Sequence, residues 1–424
     1  MKPSSSDNDS TASVNQPAGG GLTGGQWMTL LAAFLGWMFD GFEMGIFPIV
    51  ARPALQQMGY SGEVAAWMGY VTALFLLGAA SGGFVFGWLG DRIGRVRAMS
   101  LSILTYSLFS GLCYFAREPW HLGALRFASA LGMGGEWSLG VALVMECWPE
   151  KARPWLAAAI GAASNVGFAL IGLITVQFKV TVDSWRWVML VGAAPALLTF
   201  FIRLLVPESE RWRESVSEKT SRPLQELFAP GQLKTTLLAI AISSIALIGT
   251  WGAVQWAPVW VDDMTAGRIP EAKAMTGLVS ALGAIVGCVV GPLVGDVIGR
   301  RPTYFLLCLS SLVACGYLFR TFESYGPAFL LMIGAVGACT ASFYGWLPLY
   351  LPELFPTRAR ATGQGLSFNF GRIFAAAGAV LQGRLVESFG GSFAKAGATV
   401  TLIYILGLVL IWLAPETKGK PLPD

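Results

Sequence analysis

Apolar runs of about 18–25 residues, the length that carries an α-helix across a hydrocarbon core, alternate with short polar stretches along the chain. Twelve such runs cover residues 27–50, 64–89, 98–116, 122–145, 155–178, 185–206, 237–260, 274–294, 303–319, 328–351, 362–385 and 396–413. None shows the period-two alternation of a transmembrane strand, so the runs predict helices and not a barrel. The fold class expected from this pattern is an all-α integral membrane protein with twelve transmembrane helices.

The polar stretches between the runs repeat. Gly87-Trp-Leu-Gly-Asp91-Arg-Ile-Gly-Arg95-Val-Arg97 returns as Gly291-Pro-Leu-Val-Gly-Asp296-Val-Ile-Gly-Arg300-Arg-Pro302. Glu146-Cys-Trp-Pro-Glu-Lys-Ala-Arg153 returns as Glu353-Leu-Phe-Pro-Thr-Arg-Ala-Arg360, and Pro207-Glu-Ser as Pro415-Glu-Thr. All three offsets lie at about 205–208 residues, in the same order, which predicts two similar halves. The domains expected are a six-helix bundle over 26–207 and another over 237–415, joined by a linker at 208–236 that lies on the membrane face. Residues 416–424 form a short tail. Residues 1–25 are rich in Ser, Gly, Asn and Asp without periodicity, as in a disordered tail, and lack the layout of a secretory signal.

Charge adds topology. Hydrophobic residues make up 54% of the chain and charged residues 13%, against about 25% charged in soluble domains. Eighteen Lys and Arg fall on the side of the termini and nine on the other, so both termini and both Gly-Asp loops are expected in the cytoplasm. The net charge of +4 then reflects topology and gives no reason to expect a nucleic-acid partner. The six Cys have no paired or metal-ligand spacing, and the single His, His121, cannot build a metal site. No phosphate-binding Gly-Lys-Ser/Thr loop, no Gly-x-Ser-x-Gly and no ligand cluster occurs, which argues against an enzyme and against a cofactor.

The candidate chemistry lies in charges within the runs. Asp40 and Glu43 stand three apart on one helix face, and Arg126 and Glu136 share the fourth run. An ionised side chain at mid-membrane costs at least about 2.5–3.5 kcal/mol, so each of these faces protein, water or a travelling partner. Arg372 is the one deeply placed charge of the second half, three residues from Asn369. An arginine stays charged and therefore needs an anion, either substrate or an acid of the first half. Trp37, Trp137, Trp251, Gln255, Tyr344 and Trp346 are candidates for the substrate wall. Asp91, Arg92, Arg95, Glu146 and Arg153, with Asp296, Arg300, Glu353 and Arg360, are candidates for a cytoplasmic gate, in which Asp91 can accept from the N-terminus of a neighbouring helix.

The Gly87–Arg97 loop resembles the signature loop of the major facilitator superfamily. Pro207-Glu-Ser-Glu-Arg-Trp212, Pro352-Glu-Leu-Phe-Pro-Thr-Arg-Ala-Arg-Ala-Thr-Gly363 and Pro415-Glu-Thr-Lys-Gly419 resemble its sugar-porter-like members. Asp40-Gly-Phe-Glu43, Gly132-Met-Gly-Gly-Glu136-Trp137 and Glu146-x-Trp-Pro149 are similar to the sialic acid and aromatic acid proton symporters, which commonly carry Asp where this chain has Glu43. The resemblance implies two pseudo-symmetric bundles, a central cavity and alternating access. The expected function is symport of a proton with a small organic anion by a monomer in the bacterial inner membrane. The proton, on Asp40, Glu43 or Glu136, is the only coupling ion expected, and Arg126, Arg372 and Asn369 would hold the substrate. The alternatives are a sugar or polyol uniporter or symporter, a proton-coupled exporter and, further off, a transporter-like sensor.

Overall fold

A computed structural model describes residues 22–423 except 179, 219–221, 266 and 267. Of the tail expected over residues 1–25, residues 1–21 lie outside the described residues, and the last of it is ordered instead, with Thr23 capping α1 and Gly24 and Gly25 in its first turn. The helices of the first half are α1 (Gly24–Gln57), α2 (Val64–Ile93), α3 (Arg95–Leu112), α4 (Pro119–Cys147), α5 (Arg153–Gln177), α6 (Trp185–Val191) and α7 (Ala196–Leu205). Two short helices, α8 (Glu210–Glu218) and α9 (Pro223–Leu227), occupy the connection. The second half contains α10 (Pro230–Gly252), α11 (Ala257–Met264), α12 (Pro270–Ile298), α13 (Arg300–Thr321), α14 (Pro327–Tyr350), α15 (Arg360–Ser388), α16 (Phe393–Val400) and α17 (Ile403–Leu410).

Local chemistry sets several of these boundaries. Thr23 starts α1 with a reciprocal capping box: its hydroxyl accepts from Gln26 N while the Gln26 side chain accepts from Thr23 N. Pro230 opens α10 inside the stretch expected as linker, where its missing N–H and fixed φ suit the first helical turn. The sixth apolar run is broken into α6 and α7 around Pro195, but i→i+3 turns carry the chain across the break. A similar tightening at Thr401 and Leu402 separates α16 from α17. Ten helices among the described residues are long and apolar enough to cross a membrane. The remaining two spans are the α6–α7 pair and α15, whose apolar pattern is interrupted by Gln364, Asn369 and Arg372. The architecture is therefore the expected twelve-span, all-helical one.

The two halves repeat each other in detail. Gly94 between α2 and α3 has φ 106°, and Gly299 between α12 and α13 has φ 100°, a region that side chains with a Cβ rarely enter. Each glycine precedes an arginine that reaches back, Arg95 to the Gly90 carbonyl and Arg300 to the Gly295 carbonyl, both at 2.8 Å. Each following helix is capped from far along the chain. Glu208 accepts from Arg95 N at 2.9 Å, and Glu416 accepts from Arg300 N and Arg301 N at 3.0 Å. The halves meet chiefly through α2 against α15 and α5 against α12.

Candidate functional site

The charges singled out in the sequence sort into two groups inside the bundle. The first is complete within the first half. Arg126 on α4 donates to Glu43 on α1, and the same carboxylate oxygen accepts from Ser110 at 3.0 Å. The guanidinium lies over the Phe75 and Phe47 rings at 4.6 and 5.2 Å. Both residues are almost entirely shielded, so this pair satisfies its own charge.

The second group spans both halves. Asp40 on α1 and Glu136 on α4 are 0% and 1% exposed, and none of their four carboxylate oxygens has a hydrogen-bond partner among the described residues. The Glu136 carboxylate lies directly on Gly36 of α1, where any Cβ would collide with it, so that glycine makes the acid's place. Arg372 on α15 is 3% exposed, has no salt bridge among the described residues and faces Asp40 electrostatically. Asn369 is pinned: its amide donates to the Gly134 carbonyl on α4 at 3.1 Å and to Gly365 of its own helix at 3.0 Å.

Aromatic rings close around this group. Trp37 and Trp137 lie 6.4 Å apart, and both contact Phe368 on α15. Phe368 stacks on Trp137 at 3.9 Å and meets Tyr344 of α14 edge-on at 6.2 Å. Phe368 was not among the residues singled out in the sequence, although Gln364, Phe368 and Arg372 recur at four-residue spacing and so share a face of α15. Trp346 lies outside the cluster, buried between Tyr304 at 5.0 Å and Tyr350 at 4.6 Å. Trp251 is half-buried at the end of α10, and Gln255 is exposed in the turn that follows.

The terminal face, where α1 begins and Pro423 lies, is closed by a charged cluster between the halves. Asp91 at the end of α2 accepts from the backbone N–H groups of Ala361 and Thr362 at 3.2 and 2.8 Å and from the Thr362 hydroxyl at 2.5 Å. It thus sits on the N-terminus of α15, where helix N–H groups have no intrahelical partner. Arg95 bridges Asp91 at 2.7 Å and Glu146 at 3.0 Å, and donates to the Thr357 carbonyl at 2.7 Å. Glu146 takes a second arginine, Arg360 of the other half, at 2.9 Å. Arg360 also donates to the Pro423 carbonyl at 2.6 Å, which docks the chain end against the cluster.

The remaining gate candidates are placed differently. Arg153 pairs with Glu150 at 2.8 Å, and Arg300 pairs with Glu353 at 2.7 Å within the second half. Asp296 is 59% exposed and only 3.9 Å from Arg300. Arg92 is exposed and lies over the Trp88 ring, so it does not reach Glu146 or Glu150. Outside the spans, burial pushes the Glu208 carboxyl above its ordinary range, while at Glu416 a smaller burial is outweighed by backbone N–H groups that hold it below.

Two halves of six spans, a shared central cluster of charges and a closing device on one face are the layout of a membrane transporter. Residues 29–366 match the family described as Major Facilitator Superfamily, and the chain belongs to that family. It is 31% identical over 404 residues to a "Probable 4-methylmuconolactone transporter" of Cupriavidus pinatubonensis, covering 93% of this chain and 91% of that one. It is 26% identical to the sialic acid transporter NanX of Escherichia coli, covering 82% and 84%. The fold is similar to that of the proton:xylose symporter XylE of E. coli, with a TM-score of 0.78 at 18% identity over 94% of this chain and 98% of that one. The protein is therefore a multi-pass membrane transporter of a small molecule and not an enzyme.

Proposed function

We propose that the protein is a proton-coupled symporter of a small organic anion. The observation that carries this reading is Arg372, a buried guanidinium with no salt bridge among the described residues, within electrostatic range of the buried Asp40 and 5.7 Å from the centroid of the Phe368 ring. Arg126 is already neutralised by Glu43, so Arg372 is the cation that remains for a substrate carboxylate. A carboxylate on Arg372 gains short, charge-assisted hydrogen bonds, bidentate where geometry allows. Once it does so, Arg372 no longer balances Asp40, and a proton on Asp40 or Glu136 removes the charge left in the bundle. With one of the two acids protonated throughout, charge is cancelled in two states, the empty carrier and the carrier loaded with the anion and a further proton, and those are the states that cross at low cost.

Coupling to the closing device runs along α15. Thr362, which holds Asp91, and Arg372 lie ten residues apart on this helix, about 15 Å along its axis. A shift of α15 on binding therefore reaches its N-terminus, where Asp91 closes the terminal face. In this reading both termini face the cytoplasm of a bacterial inner membrane, and the monomer is the working unit. The organic-acid names among the relatives support the substrate class.

The test is uptake of radiolabelled organic anions into proteoliposomes with an imposed pH gradient. Arg372→Ala should lose roughly 2–5 kcal/mol of binding, the cost of removing one partner of a buried charged contact. Asp40→Asn or Glu136→Gln should leave exchange but remove accumulation driven by the pH gradient. Accumulation that survives all three substitutions refutes the reading.

A further inference from the structure

The ring of Phe368 occupies the centre of the aromatic cluster. It is 1% exposed, stacks on Trp137 with planes 16° apart, and is met edge-on by Trp37 at 6.2 Å and by Tyr344 at 6.2 Å. The Arg372 guanidinium lies 5.7 Å from its centroid. Its neighbours come from α1 and α4 in one half and from α14 and α15 in the other. One flat apolar ring, with a cation at its side and contacts to both bundles, thus fills the place where the two halves converge.

Polar side chains of the same stretch of α15 are incompletely satisfied, foremost the one that shares the face of Phe368. Gln364, one turn before Phe368 on the same face of α15, is fully buried, and neither its oxygen nor its nitrogen has a partner among the described residues. The same holds for the Ser367 hydroxyl and the Asn369 oxygen. Buried polar atoms without partners are uncommon in folded proteins and call for an explanation. A phenyl ring offers them nothing, whereas a ring or conjugated chain bearing a carboxylate and hydroxyl or carbonyl groups would. In this state the backbone beneath is held against the first half, because Gly365 packs on the Gly83 carbonyl and Asn369 is bonded to Gly134, so the ring can leave before α15 itself shifts. Vacating the place is therefore a rotation of one side chain.

We propose that Phe368 is a placeholder for the substrate. In the closed carrier its ring holds the seat on Trp137 beside Arg372, and a planar carboxylate takes that seat on binding. The proposal rests on the anion reading above and narrows it to planar, conjugated acids. Every ligand must displace the ring, but only a flat one restores the stack on Trp137. Saturated, puckered acids of equal charge displace it without that return. Phe368 thus sets a threshold that Trp137 lets planar substrates pass.

The test uses purified full-length protein and calorimetric titration with benzoate and cis,cis-muconate, each paired with its saturated counterpart, cyclohexanecarboxylate and adipate. The wild type should favour the planar member of each pair. Phe368→Leu removes the intramolecular competitor and should tighten binding of the planar acids by about 2- to 12-fold, the equivalent of one aromatic stack. A residue that only supported the fold or only touched the substrate would weaken binding instead. Phe368→Met, unbranched and flexible enough to fill the gap differently from leucine, should act in the same direction, and unfolding temperatures of both variants check the fold. Trp137→Leu should abolish the planar preference. Unchanged or weakened binding of both planar acids in Phe368→Leu and Phe368→Met overturns the proposal, as does equal affinity for planar and saturated acids in the wild type. Arg372→Ala is read separately: anion binding that survives it sinks the anion reading, while tighter binding in Phe368→Leu still reports on the placeholder.

Discussion

The Gly-Asp-Arg loop of the first half and its repeat in the second share a backbone but not a task. In both, a left-handed glycine turns the chain, an arginine returns to a carbonyl at 2.8 Å, and a distant glutamate caps the next helix. Yet Asp91 is fully buried against the N-terminus of α15, whereas Asp296 is 59% exposed. Glu146 joins arginines from both halves, whereas Glu353 binds Arg300 and Thr417 of its own half. Two copies of one motif therefore build one closing device. The first copy supplies acceptors across the interface, and the second half answers with the end of α15 and with Arg360. The second copy holds its own bundle together.

The largest difference is expected at the glutamates. Glu146→Ala leaves Arg95 and Arg360 buried without their shared anion, a loss of about 3–5 kcal/mol for a buried pair. Hydrogen exchange at residues 357–362 should rise as the terminal face opens. Glu353→Ala should destabilise the second half yet leave exchange at 357–362 as it was, and equal opening in both variants would remove the distinction. Next come the aspartates. Asp91→Asn loses the charge that binds α15 and Arg95, for about 1–3 kcal/mol, and should slow transport without abolishing substrate binding. Asp296→Asn, at an exposed and loose ion pair, should cost less than about 1 kcal/mol and leave transport rates unchanged.

The smallest effect is a contrast in pH dependence. Glu208 titrates above its ordinary range in the folded protein, so its contribution to stability is present at low pH and fades as pH rises through that raised value. Glu416 titrates below its ordinary range, so its contribution is present above that range and is lost as pH falls through the depressed value. Unfolding temperatures of Glu208→Gln and Glu416→Gln, each compared with wild type across acid pH, should diverge from wild type with opposite slopes. Parallel curves would show that burial does not separate the two caps. The Glu416 effect should be the weaker, since that side chain is more open to solvent.

Much of the architecture was legible because a bilayer constrains sequence strongly. Apolar runs have to be helices of near-fixed length, and the repeated loops marked the two halves. The same logic located Asp40, Glu136 and Arg372, since charge in hydrocarbon demands a reason. It could not tell which charges were already satisfied. Arg126 and Glu43 looked as available as Arg372 until α1 and α4 were seen to bring them together. Trp346 carried the same sequence signal as Trp137, yet one packs among tyrosines of the second half and the other stacks on Phe368 where the halves converge. Phe368 carried no signal of its own, because a phenylalanine in an apolar helix looks like core until its neighbours are known.

By itself the sequence determined the twelve spans, their grouping into two halves and the presence of charge in the membrane, because each follows from the local cost of exposing or burying a residue type. Only the tertiary structure decided which acid meets which arginine, which copy of the repeated loop closes the face, and which ring lies on Trp137. Those outcomes depend on how helices far apart in the chain are rotated and paired. No periodicity along a single helix encodes that choice.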